Sequence, residues 1–181
     1  MPELDTPRLH LRKFAQTDLL AVYAWGSDPE VARYALWDRH EAPVDTQAFL
    51  DSCFREYAER GIGPGAVVRM DTGELIGNRS YGRIVPEESR IELAYYFARQ
   101  HWGHGFATEA VRAVIDYAFG VIGVRRVEAR CVVENKASER VMQKSGLEYR
   151  GTLRCYLGQR DEMADLITYA LERYQWLGQK R

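Results

Sequence analysis

The chain has 181 residues, of which 46% are hydrophobic and 28% charged, and a formal net charge of −1 at pH 7. That length is enough to bury a real core, and the composition is that of a soluble globular chain, read as a single domain over residues 1–181. The near-zero charge advertises neither a nucleic-acid partner nor a membrane surface. Cys53, Cys131 and Cys155 are scattered and odd in number, with no metal spacing and no disulfide framework, which suits a reduced, cytoplasmic protein. The N-terminus lacks the basic-then-apolar pattern of a signal peptide, and no run approaches membrane-spanning length.

Leu9–Phe14 alternates apolar and polar residues and predicts a strand. A short helix over Asp18–Trp25 follows, with Thr17 as its expected cap. Pro29–Pro43 lacks periodicity and reads as loop with at most a turn of helix. Thr46–Arg60 is helical, with Phe49, Leu50, Cys53, Phe54 and Tyr57 on one face and Gly61 as its stop. Ala66–Met70 and Glu74–Gly82 flank Asp71-Thr-Gly73, a hairpin turn with a residue suited to positive φ. After Pro86-Glu-Glu-Ser89, Arg90–Ala98 is the third strand of this meander. A helix over Ala107–Phe119, a strand over Arg126–Val133 and a helix over Ala137–Ser145 come next, and then a hairpin of Glu148–Leu157 with Glu162–Leu171. The expected fold is α/β, with a mixed, mostly antiparallel central sheet and helices on both faces.

The chemistry concentrates at Gln100-His-Trp-Gly103-His-Gly105-Phe-Ala-Thr-Glu109, between an apolar strand and an amphipathic helix. Glycines there allow positive φ and close approach of backbone N–H groups to an anion, and the helix turns its positive end to the same spot. A dinucleotide fingerprint fits poorly. Its third small position is occupied by Thr108, the loop follows several strands, and too little chain remains for a second nucleotide-binding half.

The spacing Gln100-x-x-Gly103-x-Gly105 instead resembles the acyl-CoA loop of the GNAT superfamily of N-acetyltransferases. Glu92-Leu-Ala-Tyr-Tyr-Phe97, Trp102–Ala110, Asn135-Lys-Ala-Ser138, Lys144-Ser-Gly-Leu147, the opening Leu4–Arg12 and the closing Asp165-x-x-x-Tyr169 look like its RimJ/RimL branch. That branch acetylates protein N-termini and various small amines.

The resemblance implies acetyl-CoA as cosubstrate, with no metal. Gln100, His101, Trp102, Gly103, His104, Gly105, Phe106 and Ala107 would hold its diphosphate, and Tyr95 and Phe97 would offer main-chain bonds to the pantetheine arm. Ala94 stands where the family more often has glycine. A strand N–H near Tyr95 is the expected oxyanion donor. Glu92, on a strand with apolar neighbours, is the candidate base that frees the attacking amine of its proton, beside the plainer reading of a solvated or salt-bridged glutamate. Asn135 is expected to touch the pantetheine arm, and Ser138 to meet the CoA sulfur as it leaves. Both also suit the capping of a helix.

Tyr34, Trp37, Tyr81 and Tyr156 are candidates for an aromatic acceptor wall, and Arg79 and Arg83 for meeting an acidic acceptor. His101 and His104 lack a third metal ligand nearby. The implied function is acetyl transfer to a primary amine, either a protein N-terminus or a small molecule, in a ternary complex. A catalytically silent acyl-CoA-binding module is the alternative. A monomer and a homodimer, with the aromatic tail Tyr169–Trp176 covering the sheet or pairing subunits, both fit the sequence.

Overall fold

A computed structural model describes residues 3–35, 37–85, 88–157 and 162–179, without the side chains of 82–85 and 162. Its strands are β1 (Leu4–Asp5), β2 (Leu9–Lys13), β3 (Gly65–Arg69), β4 (Leu75–Val85), β5 (Arg90–Phe97), β6 (Arg126–Val132), β7 (Glu148–Leu157) and β8 (Glu162–Glu172). The α-helices among the described residues are α1 (Leu19–Gly26), α2 (Pro29–Ala32), α3 (Pro43–Arg60), α4 (Phe106–Tyr117), α5 (Lys136–Lys144) and α6 (Arg173–Gln179). The sheet is mixed and mostly antiparallel, with strand order β1-β2-β3-β4-β5-β6-β8-β7 and a parallel pairing of β5 with β6. The chain divides into two compact units, one within residues 1–80 and 95–110, the other within 81–94 and 111–181. No described helix is long and apolar enough to cross a membrane.

In the first unit, β1, β2 and β3 run antiparallel in succession, and β4 continues the ladder with a bulge at Val67/Val68. The apolar face read from α3 packs as expected. Leu50 and Cys53 are fully buried with Phe14, Val22, Trp25, Ala66 and Val68, while Phe49, Phe54 and Tyr57 pack against them. Burial pushes the Cys53 thiol up to about 12, so it is an inert packing group. The helix starts three residues earlier than its periodicity suggests. Pro43 supplies the preset φ of a first helical residue, and the Asp45 carboxylate accepts from the N–H groups of Glu41 and Ala42. Gly61 ends it at φ 70°, as expected.

Thr17 does not cap α1. It lies inside a 3₁₀ turn, Gln16–Asp18, that Asp18 organises. The Asp18 carboxylate takes the Ala15 N–H at 2.8 Å and two bonds from the Arg12 guanidinium, at 2.7 and 2.8 Å. Burial alone would raise its pKa, but the bonds from Arg12 and Ala15 outweigh that and hold it below the ordinary 3.8. A pKa depressed by folding gives stability that is complete above the unfolded value and lost as pH falls through the folded one. Asp18→Asn should therefore cost about 2 kcal/mol at neutral pH, because Arg12 loses its ionic partner. The gap between the two proteins should close on acidification below pH 4 in thermal unfolding, and a gap that stays constant would refute the assignment.

In the second unit, β6 and β8 pair antiparallel over seven residues and β8 continues against β7 with a bulge at Tyr149/Gly151. Val114, Phe119, Val127, Met142 and Leu171 are buried. After α4 the chain makes a π-type turn, Ala118–Ile122, that Gly123 terminates at φ 79°. The tail forms α6, which the sequence did not advertise. Its Trp176 lies 5.5 Å from the Phe119 ring and donates to Asp116 at 2.6 Å, so the aromatic tail covers the chain's own turn. Tyr81 is buried, with its hydroxyl on the Val114 carbonyl at 3.5 Å, and belongs to the packing instead of an acceptor wall.

Candidate functional site

The glycine loop grows out of the end of β5. Ala98 N–H meets Ile76 O at 2.8 Å, and a 3₁₀ turn at Arg99–His101 carries the chain to Trp102. The indole N–H of Trp102 donates back to Phe97 O at 2.7 Å. Phe97, whose main chain is expected to offer bonds to the pantetheine arm, thus has its carbonyl engaged by the loop. His101 is buried with Nε2 3.0 Å from Glu74, and His104 Nδ1 lies 2.8 Å from Trp102 O. Gln100 is exposed and lines a cavity of about 290 Å³ with Trp25, Asp28, Glu74 and Arg99.

Gly103 and Gly105 take φ 79° and 82°, as the motif requires. A Cβ on Gly103 would meet nothing within 4 Å, so this side of the loop is open. The first backbone bond of α4 runs from Glu109 N–H to Gly105 O. The N–H groups of Phe106, Ala107 and Thr108 therefore have no acceptor within the helix and stand at its positive end. A glycine cradle beside free helix N–H groups fits the diphosphate of a CoA thioester.

Beside this cradle lies a network that sequence reasoning quoted only as pattern. Glu109 accepts from Thr6 Oγ1 at 2.6 Å, from the Arg8 N–H at 2.9 Å and from Arg8 Nε at 2.6 Å. Burial would raise the Glu109 carboxyl, yet the Thr6 and Arg8 bonds bring it below its ordinary value. The Arg8 and Arg69 guanidinium groups lie 4.5 and 5.5 Å from the Phe106 ring centroid, and His104 stacks on the same ring. The signal was present in Thr6-Pro-Arg8 and Thr108-Glu109, but nothing in either motif names the other.

In the second unit the parallel register sets Arg90 beside Arg126 and Glu92 beside Glu128, and ends at Leu93 and Ala129. Direct neighbours share a sign, so the charges pair diagonally. Arg90 reaches Glu128 at 2.6 Å and Arg130 grips Glu92 at 2.5 and 3.1 Å, while Arg126 meets Glu172, its direct neighbour on β8, at 2.6 Å. The surroundings of Glu92 are thus ionic, as in the plainer salt-bridged reading, and not the apolar ones its strand neighbours suggested.

Asn135 caps α5 by accepting from Ser138 N–H at 3.0 Å, which is the capping role foreseen for it. The Ser138 side chain hydrogen-bonds Cys131, whose buried thiol is pushed up to about 11. The same helix is fixed by Tyr169, whose hydroxyl donates to Glu139 at 2.9 Å and accepts from Gln143 at 3.0 Å.

The remaining candidates separate. Arg79 is 2% exposed and reaches Gly63 O at 3.4 Å, so it is an interior residue and not a surface acceptor contact. The Arg83 side chain lies outside the described residues, as do Pro86 and Glu87 of the expected turn. Trp37 packs edge-on to Trp25 and Tyr96, Tyr34 lies under Arg33, and Tyr156 is exposed on β7.

The acetyltransferase (GNAT) domain model matches residues 8–148. The chain belongs to the GNAT acetyltransferase family. It is similar to an uncharacterized N-acetyltransferase of Bacillus subtilis strain 168, YoaA, at 33% identity over 94% of this chain and 96% of that protein. A GNAT-family acetyltransferase structure from Bacillus anthracis superposes with a TM-score of 0.84 at 27% identity, covering 96% of this chain and 99% of the other. A more distant relative, at 24% identity over 94% of this chain and 89% of its own length, is the spermidine N(1)-acetyltransferase of Escherichia coli K12. This GNAT protein is accordingly an enzyme, an N-acetyltransferase that moves an acetyl group from acetyl-CoA to an amine.

Proposed function

We propose that residues Gln100–Ala107 hold the diphosphate of acetyl-CoA, and that Glu92 receives the proton of a cationic primary amine. The observation that carries this reading is the loop itself, with positive φ at Gly103 and Gly105 opening directly into the free N–H groups of α4. Bound acetyl-CoA supplies the thioester. The chain's residues hold it, align the amine and accept the proton. The parallel ladder of β5 stops at Leu93, and the Tyr95 main chain beyond it is assigned to the pantetheine amides, with the nearby N–H as oxyanion donor. Asn135 and Ser138 take the arm and the departing sulfur, in addition to their capping bond.

The half-buried carboxylate of Glu92 suits a cationic acceptor, and the spermidine enzyme among the relatives supports an alkylamine. A protein N-terminus offers the same ammonium chemistry, and the motifs at Leu4–Arg12 and Trp102–Ala110 support the RimJ/RimL-like branch. The family match spans residues of both units, which supports reading 1–181 as one domain. The free thiols of Cys53, Cys131 and Cys155 support a cytoplasmic location.

The test is thiol release from acetyl-CoA against a panel of peptides with varied N-termini and small amines, run with wild type and Glu92→Gln. Release is expected for one acceptor class. The variant should lose about a hundredfold in turnover at neutral pH and recover toward high pH, where free amine is abundant, with the KM for acetyl-CoA held. Equal rates across the pH range would remove Glu92 from the chemistry. Binding of acetyl-CoA without release from any acceptor would favour a silent binding module.

A further inference from the structure

Three side chains at the glycine loop hold backbone carbonyls. Trp102 Nε1 holds Phe97 O, His104 Nδ1 holds Trp102 O, and Arg8 Nη1 donates to His104 O at 3.1 Å. A carbonyl oxygen only accepts, so the His104 proton sits on Nδ1. In a trans peptide unit the C=O and the following N–H point in opposite directions. The first carbonyl displays the consequence: with Phe97 O turned to Trp102, the Ala98 N–H faces away and meets Ile76 O at 2.8 Å. By the same geometry the Gly103 N–H turns away from the His104 ring, and the Gly105 N–H turns away from Arg8.

Arg8 is itself held in place. Nε and Nη2 each lie 2.6 Å from Glu109 Oε2, and its N–H and the Thr6 hydroxyl occupy the other carboxylate oxygen. Its guanidinium also covers the Phe106 ring. The arginine is thus anchored at one end to the first turn of α4 and at the other to the loop carbonyl.

We infer that Arg8, braced by Glu109 and Thr6, is a positioning residue for acetyl-CoA: it grips the His104 carbonyl so that the Gly105 N–H is presented to the diphosphate. The inference deepens the reading of the loop as the diphosphate site and rests on it. Arg8 acts through the loop backbone, its Nε and Nη2 being engaged by Glu109 and its Nη1 by the His104 carbonyl.

The experiment compares acetyl-CoA with acetyl-pantetheine, which carries the same thioester and arm but no diphosphate. Dissociation constants are measured calorimetrically for wild type, Arg8→Met, Arg8→Lys and Glu109→Gln, with thermal melting as a check of folding. Wild type should bind acetyl-CoA far more tightly than acetyl-pantetheine. Arg8→Met should weaken acetyl-CoA binding about tenfold and leave acetyl-pantetheine unchanged, the loss of a charge-assisted bond. Arg8→Lys, unable to reach both partners, should behave like Met, and Glu109→Gln should lose about threefold in the same direction. Equal losses on both ligands, no loss, or full affinity in Arg8→Lys would overturn the positioning role. Tighter acetyl-CoA binding by Glu109→Gln would also overturn it, making Arg8 a direct phosphate ligand. A wild type that binds both ligands equally would refute the loop reading itself.

Discussion

Gly103→Val is expected to weaken acetyl-CoA binding by about a hundredfold while lowering the melting temperature by only a few degrees. Two physical effects add. The native φ of 79° costs an L-residue about 1–2 kcal/mol, more for a β-branched one, so valine pulls the loop toward negative φ. That rotation re-aims the N–H groups that the loop offers to the diphosphate. The new methyl groups also stand on the open side of the loop, since a Cβ there meets no protein atom within 4 Å. Together these amount to about 3 kcal/mol in binding, or roughly two decades in Kd. The absence of a protein clash is what spares the fold. Calorimetric titration with CoA beside a thermal melt reads the two quantities separately, and a variant that binds normally would dismiss the loop as the anion site.

Gly77→Ala should do the opposite and act on stability first. A Cβ at Gly77 would stand 2.3 Å from Tyr96 O and 3.0 Å from the Phe97 Cα, both backbone atoms that have no rotamer by which to yield. β4 and the end of β5 must therefore part, straining the Ala98–Ile76 bond beside them. Overpacking of this kind costs about 3 kcal/mol, which for a chain of this size lowers the melting temperature by about 10 °C. Because the displaced segment includes Tyr95 and Phe97, the surviving folded protein should also bind acetyl-CoA less well. A melting temperature within 2–3 °C of wild type would mean that the strands have slack at this contact, and that their approach does not govern the arm of the site.

Both glycines were visible in the sequence, but only one announced its purpose. Gly103 sits in a motif whose neighbours explain it, between an apolar strand and an amphipathic helix. Gly77 lies inside a strand run where nothing local distinguishes it, and its role appears only once β5 is placed against it. The same division runs through the charged residues. The asparagine cap of α5 was legible because Asn135 and Ser138 are three residues apart. The Arg8–Glu109 brace was not, because its partners are 101 residues apart. Arg79 looked like a surface arginine on a hairpin and proved to be buried, since a polar residue in a strand does not say which carbonyls will meet it inside.

Glu92 is the sharpest instance. Its strand neighbours are apolar, and short-range reading surrounds it with them. The parallel register of β5 and β6 brings Arg130, 38 residues away, onto its carboxylate. The sequence by itself determined most of the elements, the glycine turns and the Asn135 cap, and it pointed to the loop proposed to hold the diphosphate, because each depends on residues within a few positions of one another. Tertiary structure alone decided which charges pair, which arginine is buried and what orients the loop. Those depend on strand order and register, and one residue of slip along a strand would exchange every partner it has.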